Sequence, residues 1–310
     1  MRAMRSRGAL LSALLLGIPA LLSGQAWTPP AGQGSVWLSG QTVHVDSHLQ
    51  GNGIRAHDVD VRGKSATLGV EYGLSDRLAF GINLPYASTR LVSGIPHGGA
   101  ISDDGRSHGT LTDLSVDLRY KAIDSSLVFT PMVAALIPVR DYPTRGHAAP
   151  GRGTKEYSAG FALGHNAIWL SPSLFVGGGY RYTYVERIDE DITVDRSNAD
   201  VQVDYLATSR LGFRAAGMWQ RTHGGLDLPL APELRAEHGH HHDQLARANY
   251  WRSSLGVSFG LTPTVEIVGS WSTVLRGVNT HAFRAWNGGV AWRFDAKSAH
   301  SRIFPASPAS

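Results

Sequence analysis

The sequence predicts an all-β fold: a transmembrane antiparallel up-and-down β-barrel of about 12 strands, preceded by a cleaved signal peptide. Three observations carry this. Segments of roughly ten residues alternate apolar and polar side chains with period two down most of the 310-residue chain, as strands with one apolar and one polar face do. The connections between them run short, long, short, long. Only 17% of residues are charged while 36 are Gly, far less charge than the ~25% of soluble domains.

The chain opens with Arg2, Arg5 and Arg7 and no acid, followed by the apolar run Ala9–Leu22 and the small-residue exit Gly24-Gln25-Ala26. That is the build of a secretory signal peptide over 1–26. The apolar run is shorter than the ~20 residues a spanning helix needs, so the expected product is 27–294 as a barrel and 295–310 as a C-terminal tail. Without the three leader arginines, 26 basic residues face 25 acidic ones. A chain so near neutrality lacks the basic footprint of a nucleic-acid binder. The absence of Cys excludes disulfides, thiol catalysis and Cys-ligated metals.

Strands are expected at 35–46, 65–73, 78–88, 110–121, 126–139, 155–165, 173–185, 199–208, 211–221, 248–260, 264–276 and 281–294. In 78–88, Leu78, Phe80, Ile82, Leu84 and Tyr86 oppose Ala79, Gly81, Asn83 and Pro85. In 110–121, Leu114, Val116, Leu118 and Tyr120 oppose Asp113, Ser115, Asp117 and Arg119. The same rule sets Val201, Val203 and Tyr205 against Asp200, Gln202 and Asp204, and Leu255, Val257 and Phe259 against Ser254, Gly256 and Ser258. The first strand is the weakest in pattern. Tight connections follow at 74–77, 122–125, 208–210 and 261–264, with a moderately short one at 166–172. Long ones stand at 47–64, 89–109, 140–154, 186–198 and 222–247, with a short sixth at 277–280. Six connections on one side and five on the other are what 12 antiparallel strands require, and short turns opposite long loops mark an outer-membrane barrel. Tyr72, Tyr86, Tyr120, Tyr182, Tyr184, Trp219, Trp271, Trp286 and Trp292 crowd the ends of apolar faces, as in the aromatic girdles of lipid-facing barrels. A soluble β-sandwich also alternates, but the repeated faces here are too polar and Gly-rich for solvent alone.

Several stretches carry a family resemblance: AWTPPAGQGSV, YGLSDRLAFGINLPY, GTLTDLSVDLRYK, LIPVRDYPT with AAPGRGTKEYSAG, and the closing GVAWRF. In this order they resemble the outer-membrane transporter-like family named for the meta-pathway of phenol degradation. The resemblance implies a barrel in the bacterial cell outer membrane of a Gram-negative organism, helping small aromatic or hydrophobic compounds across. It implies outer-membrane lipid as surroundings, the barrel-assembly machinery as partner during biogenesis, and a small-molecule solute. The family's G-x-G-D before the fourth strand is loosened here to Gly109-Thr110-Leu111-Thr112-Asp113. It supplies no catalytic residues.

Parity puts Glu71, Asp113, Asp117, Asp200, Asp204 and Glu266 inside the barrel with Arg119, Arg181, Arg214, Arg252 and Arg293. These are the expected pore-lining charges, either flanking a polar channel or pairing across a plugged lumen. Gly81, Gly160, Gly177, Gly179, Gly212 and Gly256 also point inward and leave space. Of 14 His, His48, His57, His97, His108, His147, His223, His238, His240, His241 and His242 fall in expected outer loops. The run His238, His240, His241, His242 and Asp243 offers imidazole and carboxylate ligands suited to Zn²⁺, Cu²⁺ or Ni²⁺; no other cofactor is implied. The G-x-S-x-G match Gly256-Val257-Ser258-Phe259-Gly260 falls inside an expected strand and not on a strand-to-helix elbow, and no H-E-x-x-H helix is present, so no enzyme chemistry is expected. The expected function is passive passage of small molecules. The alternatives are metal capture by the His-rich loop and a closed structural or adhesive barrel.

Overall fold

The computed structural model describes residues 26–57, 59–94, 96, 100–167, 170–189, 191–228 and 242–296. The expected leader lies outside them except Ala26, and so does the expected tail except Asp295 and Ala296. Twelve long strands follow one another: β1 (Gln33–Leu49), β2 (Val59–Gly73), β3 (Leu78–Gly94), β4 (Asp113–Tyr120), β5 (Leu127–Pro138) and β6 (Glu156–Asn166), then β7 (Leu174–Val185), β8 (Val194–Leu206), β9 (Leu211–Gly224), β10 (Asn249–Gly260), β11 (Val265–Val278) and β12 (Thr280–Asp295). Each pairs antiparallel with the next. The last returns to the first, from Gln33 opposite Asp295 to Leu49 opposite Thr280. The sheet is therefore closed and has no edge left to aggregate or to strand unpaired amides in lipid.

The two faces of this wall differ as the alternation predicts. Outward stand Leu68, Ile82, Leu118, Val133, Leu163, Val201, Leu255, Ile267 and Val290, each more than a third exposed. Inward stand Glu71, Arg119, Thr130, Gln202, Asp204 and Glu266, all buried. A protein in water would not turn its hydrocarbon out and its carboxylates in; a wall surrounded by lipid does. Outward aromatics gather at two levels, Tyr120, Tyr205, Phe213, Phe259 and Trp292 toward the tight turns, and Tyr86, Tyr157, Tyr182, Trp251 and Trp286 toward the long loops. On β12 the outward face is apolar from Trp286 to Phe294. At ~3.3 Å per residue and a tilt of ~40° that covers about 20 Å along the barrel axis, close to the ~25 Å apolar band of such barrels.

Three of the tight turns share one device. Ser75 Oγ accepts from the amides of Arg77 and Leu78 at 3.2 and 3.0 Å. Thr208 Oγ1 does the same for Arg210 and Leu211 at 3.1 and 2.9 Å. Thr262 Oγ1 does so for Thr264 and Val265 at 3.2 and 2.9 Å. A hydroxyl that caps the next two or three amides closes a turn locally, and so these connections stay short.

The strands run farther toward the long loops than the sequence suggests. Expected loops 47–64, 89–109, 186–198 and 222–247 lose residues to β1, β2, β3, β8 and β9. The cause is visible in one cross-strand row: Arg284, His44, Arg62 and Arg90 are register partners on β12, β1, β2 and β3. Arg62, Arg90 and Arg284 point outward beyond the aromatic level and are exposed. Strands that continue above the lipid keep their hydrogen bonds and lose their apolar face, so the period-two signal fades before the strand does.

Candidate functional site

The inward face encloses two unlike sectors. Along β2 to β8 the lumen is bridged by long charged side chains. Arg119 reaches from β4 to Glu71 on β2, and its Nε lies 2.9 Å from Asp117 Oδ2. Arg196 on β8 pairs with Glu156 on β6, again buried. The Asp117 carboxylate lies over Gly81, where a Cβ would come within 2.4 Å of its Oδ1, so that glycine's space is taken. Beside the Glu71 group, Trp37 on β1 lies over Gly69 on β2, filling the place a side chain would occupy.

The segment ahead of β1 completes the filling. Ahead of the first strand, expected at 35–46 and found to start at Gln33, residues 26–32 cross the lumen. At one end, Gly32 N donates to Gly73 O at 2.8 Å and Ala31 N to Asp76 Oδ1 at 3.0 Å. The carbonyls of Pro29 and Pro30 lie where a Cβ on Gly73 would stand. At the far end, Ala26 O accepts from Thr130 Oγ1 on β5 at 2.5 Å. Ala26 packs with Val128 and Ala162, and Trp27 meets Phe175 on β7 edge to face at 6.1 Å. Gly164 on β6 makes room for both, since its Cβ would sit 2.7 Å from the Trp27 ring. The chain thus lies as a strap from the β1–β2 wall to the β5–β7 wall, near the tight-turn end.

Around β8 to β12 and β1 the inward residues are small: Ser39, Gly212, Ser254, Gly256, Ser258, Ser270 and Ser272. They line a cavity of about 260 Å³, together with Gln41, Asn287, Leu206, Val268, Arg214 and Arg252. Arg214 is held by Asp204, which also accepts from Gln202 Nε2 at 3.0 Å. Arg293 and Glu266 pair at 2.7 Å nearer the turns. Arg252 lies 3.8 Å from Met218 Sδ. Gln41 Nε2 donates to Asn287 Oδ1 at 2.7 Å. Gln41 also borders a second cavity of about 470 Å³ toward the long loops, lined by β1, β2 and β3.

The outer cavity is roofed by folded loops. Ala148, from the stretch between β5 and β6, is fully buried against Val59, Val61 and Leu91, which places that stretch within the mouth. Its Tyr142 donates to Asp113 and accepts from Gly153 N at 2.8 Å. Burial first, and the Asp113 carboxylate second, push the Tyr142 phenol well above its ordinary pKa. Asn279, between β11 and β12, has φ 52 and is 2% exposed. Its Oδ1 accepts from Leu228 N and its Nδ2 donates to Asp227, both at 2.8 Å. That ties the base of the longest loop to the barrel rim.

All eleven expected inward charges lie on the lumen face. They fall into the Glu71–Asp117–Arg119 and Asp204–Arg214 groups, the Glu266–Arg293 pair, Asp113 under Tyr142, and Arg181, Asp200 and Arg252 along β7, β8 and β10. Arg196 and Tyr142 were missed because both lay in expected loops; parity extended from Ser158 would have found Glu156. Of the expected metal run, His238, His240 and His241 lie outside the described residues. The backbone of His242 and Asp243 opens a short helix, His242–Leu245. Three loop histidines are strand residues instead: His48 near the end of β1, His108 at the start of a short strand, His108–Leu111, paired with β3, and His223 on β9, where it packs outward on Tyr182.

No protein-family model matches the chain, and no curated protein matches it by sequence. Among solved structures it is similar to an outer-membrane channel from Pseudomonas putida F1, with TM-score 0.63, 15% identity, 88% of this chain and 100% of that chain covered. It is also similar to the translocator domain of the autotransporter NalP from Neisseria meningitidis, with TM-score 0.49, 14% identity and 93% and 94% covered. The first likeness shows the fold: the closed 12-stranded barrel of an outer-membrane protein.

Proposed function

We propose that this protein is a passive channel of the bacterial outer membrane for small molecules, a member of the transporter-like family its sequence resembles. One observation carries the reading: the hollow sector along β8 to β12 and β1, whose cavity shares the lining residue Gln41 with the outer cavity over β1 to β3. A cavity of ~150 Å³ holds benzene, so about 260 Å³ suits one substituted ring. Its lining supplies hydroxyl, amide and guanidinium groups beside Leu206 and Val268. That mixture fits small amphiphilic solutes, aromatic ones included, better than bare hydrocarbon or sugar chains. Passage is by diffusion, with Arg214 and Arg252 favouring neutral or weakly acidic solutes; no bond is made or broken. Outer-membrane lipid and the barrel-assembly machinery are the implied partners.

The test is planar-bilayer conductance of the refolded mature protein with solute-flux assays in liposomes. Single-channel steps that shrink in Gly256→Trp, with faster flux of phenolic acids than of disaccharides, are expected. Silence from demonstrably folded protein overturns the reading and leaves a closed barrel.

A further inference from the structure

We infer that the outer mouth carries a transition-metal site made by His48, His147 and His281. One ring nitrogen of each lies within 4.8 Å of the others. His48 is the penultimate residue of β1 and His281 the second of β12, and the two are register partners across the seam that closes the barrel. Their Nε2 atoms are 2.9 Å apart. The His147 ring arrives from the loop between β5 and β6, its centroid 5.0 Å from that of His48 and 6.4 Å from that of His281.

Independent anchors bring the third ring to the other two. Asp103 accepts from the amides of His147 and Ala148 at 3.2 and 3.0 Å. Ser102 donates to the Arg145 carbonyl and Thr89 to that of Ala148. Gly146 turns the chain at φ 97, where a Cβ would come 2.7 Å from Asp103 Oδ1. The loop is thus fixed on both sides of His147, and its ring is aimed at the seam by backbone that has no need of a histidine.

Three imidazoles with no carboxylate among them form a borderline-soft nitrogen set, suited to Cu²⁺, Zn²⁺ or Ni²⁺ and unsuited to Ca²⁺ or Mg²⁺. A tetrahedral ion bonded at ~2.0–2.1 Å holds its nitrogens about 3.4 Å apart. The spread here, from 2.9 Å to at most 4.8 Å, brackets that spacing, so small ring rotations complete the site. All three rings line the outer cavity of about 470 Å³, which leaves the fourth position of the ion to water or to a solute. The site shares no residue with the run His238–Asp243, and it stands whether or not the lumen conducts.

The experiment uses the refolded mature chain with His238, His240, His241 and His242 all changed to Ser, titrated calorimetrically with CuCl₂ and, separately, ZnCl₂. One ion per barrel is expected. Adding His147→Ala, a loop change outside every ladder, weakens binding more than about 100-fold, beyond what losing an outer-shell partner costs. The Cu²⁺ spectrum by electron paramagnetic resonance loses one of three nitrogen couplings in that variant. His48→Ala and His281→Ala act alike, His57→Ala does not, and heat-dependent gel mobility checks that each barrel is folded. A run-free chain that binds no stoichiometric ion, or one whose affinity survives His147→Ala, overturns the site.

Discussion

The β2–β8 sector and the sector from β9 through β12 to β1 are built from the same ladder and face the same lumen, yet below the outer cavity one is solid and the other hollow. The difference is side-chain length. Arg119, Arg196, Glu71, Glu156 and Trp27 span the first, while serines and glycines leave the second open. In a 12-stranded barrel, midway between those that fill themselves and those that hold water, a handful of residues decides which outcome a sector has.

The comparison can be broken first at its strongest cross-link. Arg119→Met leaves Glu71 and Asp117 buried without their cation, and should cost about 3–5 kcal/mol in urea unfolding of the barrel in lipid. Met at 119 with Gln at 71 should recover part of that loss. A milder cut is to shorten the strap. Removing 27–30 should cost less stability and enlarge the single-channel step severalfold, because the crossing segment no longer occupies the tight-turn end. An unchanged step would show that the strap lies outside the conducting path.

A matched pair sharpens the contrast. Gly164→Ala pushes a methyl against Trp27 at 2.7 Å, whereas Gly256→Ala meets its nearest neighbours at 3.4 Å. The first should destabilise by about 1–3 kcal/mol, as overpacking does, and the second by less than about 1 kcal/mol in the same assay. Equal effects would mean that the two sectors are packed alike. The smallest effect belongs to Tyr142. Its phenol is raised above the ordinary value, chiefly by burial, so the neutral hydroxyl is the form the fold favours. Its contribution is complete below pH ~10, where the unfolded phenol ionises, and is lost as pH rises beyond that. Tyr142→Phe should flatten the alkaline limb of the stability curve and cost about 1–2 kcal/mol at neutral pH.

Legibility in the sequence follows the same physics. Wherever lipid faces one side and the lumen the other, alternation reports the strand, its register and its inward residues; hence the placement of Asp204, Arg214 and Glu266. Above the lipid the outward face turns to Arg62, Lys64 and Arg90, and the strands extend unseen. The strap 26–32 has no period at all, being set by Pro29, Pro30 and the glycines it lies upon. The three mouth histidines are far apart in sequence, and only the closed seam and the Asp103-anchored loop bring them together. The run at 238–243 is legible because it is contiguous in sequence, and its His238, His240 and His241 lie outside the described residues.

The strap also constrains the order of assembly. Its far end, at Trp27, packs on β6 and β7, while its near end leads into β1, which must pair with β12 across a sequence separation of 246 residues at Gln41 and Asn287. Such distant pairing is slow, because the loop it closes is the largest the chain can form. Residues 26–32 must therefore be seated while the sheet is still an open, curling ribbon, with the β1–β12 seam zipping shut afterwards. A chain that closed first would have to thread its own N-terminus through the tight-turn end. Slow refolding phases should accordingly shorten when the strap is cut away.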